Sequence, residues 1–317
     1  MTSFKSRYIL SKEPSGTLDS TYPISLTASC RDALAQILRS TLRSGIGRIL
    51  LPSYIGQSLI EGSGVLDPVV DCNFMFEFYS LDCRLNPIID SLNEKIHNFK
   101  PTHILIVNYF GWIIQNRAEV FTSIKSPDHV IIEDFAHCIL PLVNHELIEK
   151  HADFEVFSIH KILGSNSGGA LLQNQNLVEI KNTIKKADLL HYAASSLSLV
   201  HSKRMQNFEY LLTKLNEKSS PLFSNFFPDM KKNLISPLNY PIKVENRNFR
   251  HDLYTKLIEH SIFPTSLYHR LIPQINHSNY PVTWEVSNQI LNLPIHQDVT
   301  FEELDFMLEI IYSNSKS

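Results

Sequence analysis

The chain has 317 residues, enough for two domains, and its 43% hydrophobic and 19% charged residues are typical of a globular protein. Its net charge of -3 provides no basic field, which argues against a nucleic-acid partner. Cys30, Cys72, Cys83 and Cys138 form no CxxC pair and have no histidine in ligand spacing, which predicts reduced thiols and no disulfide framework or metal site. Neither a signal peptide nor an apolar run of bilayer length is visible, so we expect a soluble cytoplasmic protein outside the membrane.

Strands and helices are predicted to alternate along the first half of the chain. After a weakly patterned lead-in over residues 1–27, the spacing of apolar residues in SCRDALAQILRSTLRSG predicts a helix with Ser29 as its N-cap. Apolar runs predict strands at RILLPS, DPVVDC, FMFEFYSLD, HILIVNYFG and HVIIED. Helices are predicted over residues 54–61, over LNPIIDSLNEKIHNF and over residues 116–124. This βαβ spacing predicts an α/β fold, a three-layer αβα architecture with a mainly parallel sheet.

The second half is predicted to end in a smaller α+β unit. Helical patterns run from residue 177 to about 218, and HSKRMQNFEYLLTKLNEK is interpreted as a long connecting helix. NYPIKVE and QILNLPI predict strands, whereas FRHDLYTKLIEHSI and FEELDFMLEIIYS predict helices, the last with Thr300 as its cap. The chain is therefore predicted to divide into the lead-in 1–27, a large domain 28–198, a connecting helix 199–218 and a small C-terminal domain 219–317.

Two apolar strands in the middle of the chain end in chemically useful residues. VIIEDFAH ends its strand in Glu133-Asp134, and FEVFSIHKILGSNSGGALL runs its strand into His160-Lys161. Ligands gather at the carboxyl ends of parallel strands. A lysine and a carboxylate at two such ends are typical of pyridoxal phosphate (PLP) sites, in which Lys161 would bind the cofactor covalently and Asp134 would face the pyridine nitrogen.

The remaining requirements of PLP also have candidates. The helix start at Ser29-Cys30 offers backbone N–H groups to the phosphate, and the Ser158 hydroxyl is a further phosphate ligand. Tyr54 follows a buried strand and is expected over the ring, and His137 is expected beside the ring's phenolic oxygen.

Each candidate alone also has a structural interpretation. Lys161 could be a solvated loop residue, Asp134 a turn carboxylate, Ser29 a helix cap, and Tyr54 and His137 core residues. Glu133 is interpreted as structural. Arg247, His269 and Arg270 are either contacts for an anionic substrate or surface residues, and Trp112 is either a partner contact or core. A nicotinamide enzyme is the remaining α/β option and is disfavoured because no GxGxxG follows a predicted strand, and neither a P-loop nor a GxSxG nucleophile elbow occurs in the sequence.

Five motifs, which occur along the chain in the family's order, and three C-terminal segments resemble one enzyme family. IIEDFAH followed by DFEVFSIHKILGSNSGGALL resembles the D-x-A-[QH] and S-x-x-x-x-K-x(6)-GG signatures of the DegT/StrS-type sugar aminotransferases. SCRDAL, LLPSYIGQSLIE and ILIVNYFG resemble the family's phosphate-binding helix start, its P-x-x-[aromatic] segment and its [HN]-x-x-G strand end. PIKVENRNFRHDLYTKLIEHSI, SLYHRLIP and ILNLPIHQDVTFEEL resemble its C-terminal domain.

The resemblance implies a PLP enzyme of fold type I that acts as a homodimer. It implies transfer of an amino group from glutamate or glutamine to a keto group of a nucleotide-linked sugar, as in polysaccharide biosynthesis. It assigns roles to seven residues: Lys161 to the aldimine, Asp134 to the pyridine nitrogen, His137 to the O3′ side, Tyr54 to the ring face, and Ser29, Cys30 and Ser158 to the phosphate side.

Departures from the family pattern leave two other functions open. Ser158 and Lys161 are two residues closer than in the family's S-F-H-P-T-K, Ser167 replaces the usual glutamate, and no G-Y-N-x-R segment follows residue 185. Some relatives place a histidine at the lysine position and act as dehydratases, so the adjacent His160 keeps dehydratase-like or other carbanion chemistry as an alternative. The second alternative is a degenerate, non-catalytic member of the family.

Overall fold

The computed structural model describes residues 24–42, 45–60, 62–143, 148–163, 167–174, 178–181, 183, 186–218, 220–227 and 236–314, with the backbone alone for residues 186–196. The predicted lead-in lies outside these ranges except for its last four residues. None of the helices in these ranges has the length and apolarity needed to cross a bilayer.

The described residues form a seven-stranded sheet in which five adjacent strands are paired in parallel. Its strands are β1 (Ile24–Thr27), β2 (Arg48–Pro52), β3 (Met75–Tyr79), β4 (His103–Val107), β5 (Val130–Phe135), β6 (Phe154–Phe157) and β7 (Gly169–Gln173). They lie in the order β1-β7-β6-β5-β4-β2-β3, and β7 runs antiparallel to both of its neighbours. The apolar strands β2 and β4 to β6 are buried on both faces, as expected for a parallel sheet between helices.

The helices of the described residues alternate with these strands and continue into the C-terminal part. They are α1 (Cys30–Thr41), α2 (Leu66–Asp71), α3 (Ile89–Phe99), α4 (Arg117–Ile124), α5 (Leu140–Val143), α6 (Ile159–Leu163), α7 (Lys186–Glu217), α8 (Arg247–Glu259), α9 (Pro281–Gln289) and α10 (Phe301–Asn314). Ser29 caps α1, since its side chain accepts a hydrogen bond from the Asp32 N–H. The predicted caps and most predicted helices are therefore confirmed.

A three-stranded antiparallel sheet completes the fold. It contains β8 (Phe223–Asn225), β9 (Tyr240–Val244) and β10 (Ile290–Leu293), with β9 in the centre. The Thr300 N–H donates to the Glu303 carboxylate and the Glu303 N–H donates to the Thr300 hydroxyl, which is a capping box at the start of α10. The predicted fold class, a mainly parallel α/β sheet with a small α+β unit, is confirmed.

Three secondary-structure predictions are wrong. Residues 54–61 form no helix where they are described, because Ser58 and Gly62 exchange backbone hydrogen bonds in a tight hairpin and Gly62 has φ +69°. DPVVDC lies in α2 instead of a strand, since Pro68 fits the first turn of a helix and the apolar run is too short to distinguish the two structures. The described residues of 178–183 precede α7 instead of belonging to it.

A buried ion pair joins Arg117, at the start of α4, to Glu133 in β5. Arg117 donates from Nε and Nη2 to the two Glu133 carboxylate oxygens at 2.9 and 2.7 Å, and Asn108 adds a bond of 3.0 Å. Glu133 is fully buried. Its interpretation as a structural residue agrees with this geometry, because each of its carboxylate oxygens is held by the guanidinium.

Glu155 lies directly across from Glu133 on the neighbouring strand. Burial, and next the charge of Glu133, raise the pKa of Glu155 from 4.5 to about 7. A carboxyl with a raised pKa in the folded state stabilises that state below the unfolded pKa, and this stability is lost as the pH rises through about 7. Glu155 is 3% exposed, so solvent screens this effect little.

We expect Glu155→Gln to make the free energy of unfolding less dependent on pH. The rise in pKa corresponds to about 3 kcal/mol, so the wild type should lose up to that amount between pH 5 and pH 8 and the variant should not. Urea unfolding at both pH values measures the difference, with the exposed Glu119→Gln as control. An equal loss of unfolding free energy between pH 5 and pH 8 in the wild type and in Glu155→Gln would contradict the raised pKa of Glu155.

Candidate active site

Lys161, His137 and Asp134 meet at the carboxyl ends of β5 and β6. Asp134 belongs to β5, His137 follows that strand, and Lys161 lies in α6 directly after β6. The Lys161 Nζ is 3.3 Å from the His137 Nε2. The two strands are parallel neighbours, and this places their ends at one edge of the sheet.

The Asp134 carboxylate is almost fully buried, with 5% of the residue exposed. Its Oδ1 accepts a 2.6 Å hydrogen bond from the Ala136 N–H and a 3.9 Å contact from the Cys30 thiol. Burial raises the pKa of Asp134, while the Ala136 N–H and the Lys161 charge lower it. Among the described residues none donates a hydrogen bond to Oδ2, so this oxygen of a buried residue retains the capacity to accept one.

His137 is held as a neutral imidazole with a defined proton position. The Phe110 N–H donates to its Nδ1 at 3.1 Å, which leaves the ring proton on Nε2, the atom that faces Lys161. Burial and the Lys161 charge lower the pKa of His137 well below its usual value. Phe110 has φ 58° and Gly111 φ 93°, a left-handed kink after β4 that aims this N–H at the ring.

The segment around Lys161 is a short helix, whereas its sequence predicts a strand that runs into His160-Lys161. In α6 the side chains of His160 and Lys161 diverge: the His160 Nδ1 contacts the Gly168 carbonyl at 3.1 Å and the Ser158 hydroxyl at 3.2 Å, whereas Lys161 faces His137. Ser158 itself is buried. The contact with His137 is therefore made by the Lys161 amine, whose charge also acts on Asp134, while the His160 imidazole contacts Ser158 and Gly168.

The N-terminus of α1 approaches the same edge through Cys30. A side chain at Gly169 would collide with the backbone of Ser29 and Cys30, at 2.4 to 2.6 Å from its Cβ, so glycine allows β7 and α1 to come this close. The Ser29 hydroxyl accepts a 3.1 Å bond from the Asp32 N–H. Burial raises the pKa of the Cys30 thiol well above its usual value, and Asp134 adds to this rise.

Tyr54 is a fully buried residue behind the site. Its ring packs against Tyr109 and Tyr268, with centroids at 5.3 and 4.9 Å, and its carbonyl accepts a 2.7 Å bond from the Tyr109 hydroxyl. Its own hydroxyl has no hydrogen-bond partner among the described residues. The sequence indicated Tyr54 and, as a strand-end position, Tyr109, but not Tyr268, which reaches this place from the C-terminal part.

Comparison with known proteins gives a fold but no close relative. No family model and no curated protein matches the sequence. The chain superposes on PseC of Helicobacter pylori, an aminotransferase of pseudaminic acid biosynthesis, with TM-score 0.74 and 15% identity over 92% of this chain and 86% of that one. The chain has the fold of the sugar aminotransferases. A DegT DnrJ EryC1 StrS aminotransferase from Brucella abortus (TM-score 0.71, 16% identity, 93% and 86% covered) and the PLP-form of the putative sugar aminotransferase Spr1654 from Streptococcus pneumoniae (0.73, 15%, 96% and 92%) are similar to it as well.

The aminotransferase fold confirms the predicted fold type I. Lys161, Asp134, His137 and Cys30 lie together at the sheet edge where that fold places its ligands. Ser29 is the N-cap of α1, and Ser158 contacts His160. Tyr54 is fully buried, with its ring packed against Tyr109 and Tyr268. Trp112 belongs to the core of this fold, since it is 3% exposed and stacks on Phe227 at 4.6 Å.

Proposed function

We propose that the chain is a PLP-dependent aminotransferase that moves an amino group from glutamate or glutamine to a keto group, with a nucleotide-linked keto sugar as acceptor. The observation that carries the proposal is that Lys161, which contacts His137, lies at the same end of the sheet as the buried Asp134 carboxylate and within its electrostatic range. The match in fold to sugar aminotransferases supports the reaction class and the sugar acceptor. We also propose a cytoplasmic homodimer and the domain division at residues 28, 199 and 219.

The residues of the site fit PLP. Asp134 is a buried residue whose Oδ2 accepts no bond from the described residues and is suited to a protonated pyridine nitrogen, and Lys161 is the nearby primary amine that a cofactor aldehyde requires. When bound, PLP supplies an electron sink for the carbon that exchanges its amino group. Lys161 would hold the cofactor and carry the proton to and from the reacting carbon, and His137 would orient the Lys161 nitrogen through its Nε2.

The position of His160 bears on the dehydratase alternative. His160 contacts Ser158 and Gly168, whereas the residue that contacts His137 beside the buried carboxylate is Lys161. The geometry therefore supports a lysine at the reacting position, and a lysine there favours amino transfer over chemistry that uses a histidine.

We propose that the phosphate of PLP binds at the N-terminus of α1, near Cys30 and Ser158. Asp32 lies in the first turn of this helix, and its Oδ2 accepts hydrogen bonds from the Ala28 N–H at 3.1 Å and the Thr183 hydroxyl at 2.6 Å. A carboxylate in this place competes with a phosphate for the positive end of the helix.

We expect Asp32→Asn to strengthen PLP binding by about threefold, because the amide oxygen keeps an acceptor while the repulsion of the phosphate is removed. Titration of the visible absorbance with PLP measures the dissociation constant. Asp90→Asn, which lies in the first turn of α3, is the control and should leave binding unchanged. Unchanged or weaker binding in Asp32→Asn would place the phosphate elsewhere.

The half-reaction with the donor tests the proposed function. The protein is loaded with PLP, freed of excess cofactor and mixed with isotope-labelled glutamate or glutamine. We expect one equivalent of the corresponding keto acid per active site and transfer of the label to the bound cofactor. Loaded protein that forms no keto acid with either donor, while it retains PLP, would contradict amino transfer and favour the non-catalytic alternative.

A further inference from the structure

Tyr268 brings an aromatic ring from the C-terminal part of the chain into the candidate site. Its ring centroid lies 4.9 Å from that of Tyr54, 5.5 Å from that of Tyr109 and 5.9 Å from that of His137. Burial, and next the charges of Asp134 and Cys30, raise the pKa of Tyr268, so the phenol also lies within electrostatic range of the polar residues. Its ring thus lies between the polar groups and Tyr54.

The backbone holds Tyr268 there in a constrained conformation. Its φ is 60°, in the left-handed region that a bulky residue rarely adopts. The Ser287 hydroxyl donates a 2.6 Å hydrogen bond to the Tyr268 carbonyl. Strain of this kind persists only where the surroundings enforce it, and it concentrates at functional sites.

Gly56 provides the space that the Tyr268 ring needs. A Cβ on Gly56 would lie 2.6 Å from the Tyr268 Cδ1, and the three closest atoms to it all belong to Tyr268. The two segments are also tied together, since Gly56 and Leu271 form an antiparallel bridge and the Gln57 N–H donates to the Arg270 carbonyl at 2.9 Å. The Tyr268 ring therefore occupies the space that a side chain at residue 56 would need.

We propose that Tyr268, and not Tyr54, supplies the aromatic face against which the cofactor ring packs, with Gly56 as the space that admits it. This inference rests on the proposed function and deepens it. Tyr54 has no exposed surface and is covered by the Tyr268 and Tyr109 rings, so it supports Tyr268 from behind. An aromatic ring in van der Waals contact with a flat cofactor contributes both buried area and favourable ring geometry.

Binding of PLP to variants of Tyr268 tests the inference. We expect Tyr268→Leu to raise the dissociation constant by about tenfold and to reduce the circular dichroism of the bound cofactor, whereas Tyr268→Phe keeps the ring and stays within about twofold of the wild type. Trp284→Ala, a half-exposed aromatic of the same part of the chain, is the control. Thermal unfolding of the cofactor-free variants confirms that each is folded.

A substitution at Gly56 tests the same contact with the Tyr268 ring. Gly56→Ala places a methyl group against the Tyr268 ring and should displace it, with a loss of PLP affinity in the same direction as Tyr268→Leu. Equal PLP affinity in the wild type, Tyr268→Leu and Gly56→Ala would overturn the inference and leave the proposed function standing. A wild-type protein that binds no PLP would overturn both.

Discussion

Replacing Lys161 with alanine is expected to lower the rate of amino transfer at least about 10³-fold and to remove covalent attachment of PLP. Lys161 is the amine that contacts His137 at the carboxyl ends of β5 and β6, the sheet edge that also carries Asp134. A positioned proton carrier contributes about 10²- to 10⁴-fold to a rate, and loss of the covalent anchor adds to that effect. The rate at which keto acid forms from labelled glutamate in a single turnover measures the change.

The control for this variant is its neighbour in the same short helix. His160→Ala removes a side chain that contacts Ser158 and Gly168 and does not face His137. We expect His160→Ala to retain covalent attachment and to change the rate far less than Lys161→Ala. An active Lys161→Ala protein, or an inactive His160→Ala protein with intact PLP binding, would mean that the histidine holds the reacting position and would favour the dehydratase alternative.

Replacing Arg117 with methionine is expected to lower the free energy of unfolding by about 3–5 kcal/mol, because it leaves the Glu133 carboxylate buried without its partner. Arg117 forms two hydrogen bonds to Glu133, a 2.6 Å bond to the Glu149 carbonyl and a cation–π contact of 4.9 Å with Phe121. Both members of the pair are buried, with Arg117 8% exposed and Glu133 0%. Urea unfolding at neutral pH measures the loss.

An exposed ion pair of the same chain is the matched control. The Lys95 Nζ lies 2.7 Å from the Glu77 Oε2, but the two side chains are 32% and 42% exposed. Lys95→Met should therefore cost less than about 1 kcal/mol. The double variant Arg117→Met with Glu133→Leu should recover most of the lost stability, since two apolar groups leave no buried charge. Equal losses in Arg117→Met and Lys95→Met would contradict the account of the buried pair.

The sheet and its polar edge were predictable because local patterns determine them. The apolar run VIIED predicts a buried strand, and the polar residue at its end must lie at the ligand-bearing edge, so Asp134 was found from sequence. Lys161 was found in the same way, although its sequence predicts the end of a strand and it lies in α6. Short runs such as DPVVDC contain too few residues to distinguish a strand from a helix, which is why α2 was predicted wrongly.

The aromatic side of the site could not be predicted because tertiary contacts create it. The left-handed φ values of Phe110 and Tyr268 have no sequence signal, since neither residue is glycine or asparagine. The contact between Gly56 and Tyr268 joins distant parts of the chain, and each residue alone is unremarkable. The SLYHRL segment drew attention to His269 and Arg270, whereas the tyrosine beside them lies in the site.

Reductive trapping tests the central claim most directly. The purified protein is incubated with PLP, its visible spectrum is recorded, and borohydride reduction is followed by peptide mapping. We predict a visible absorbance band that borohydride removes and a single modified peptide with the label on Lys161. A protein that stays colourless with PLP and carries no trapped label on any lysine would contradict the assignment of Lys161, and with it the proposed aminotransferase.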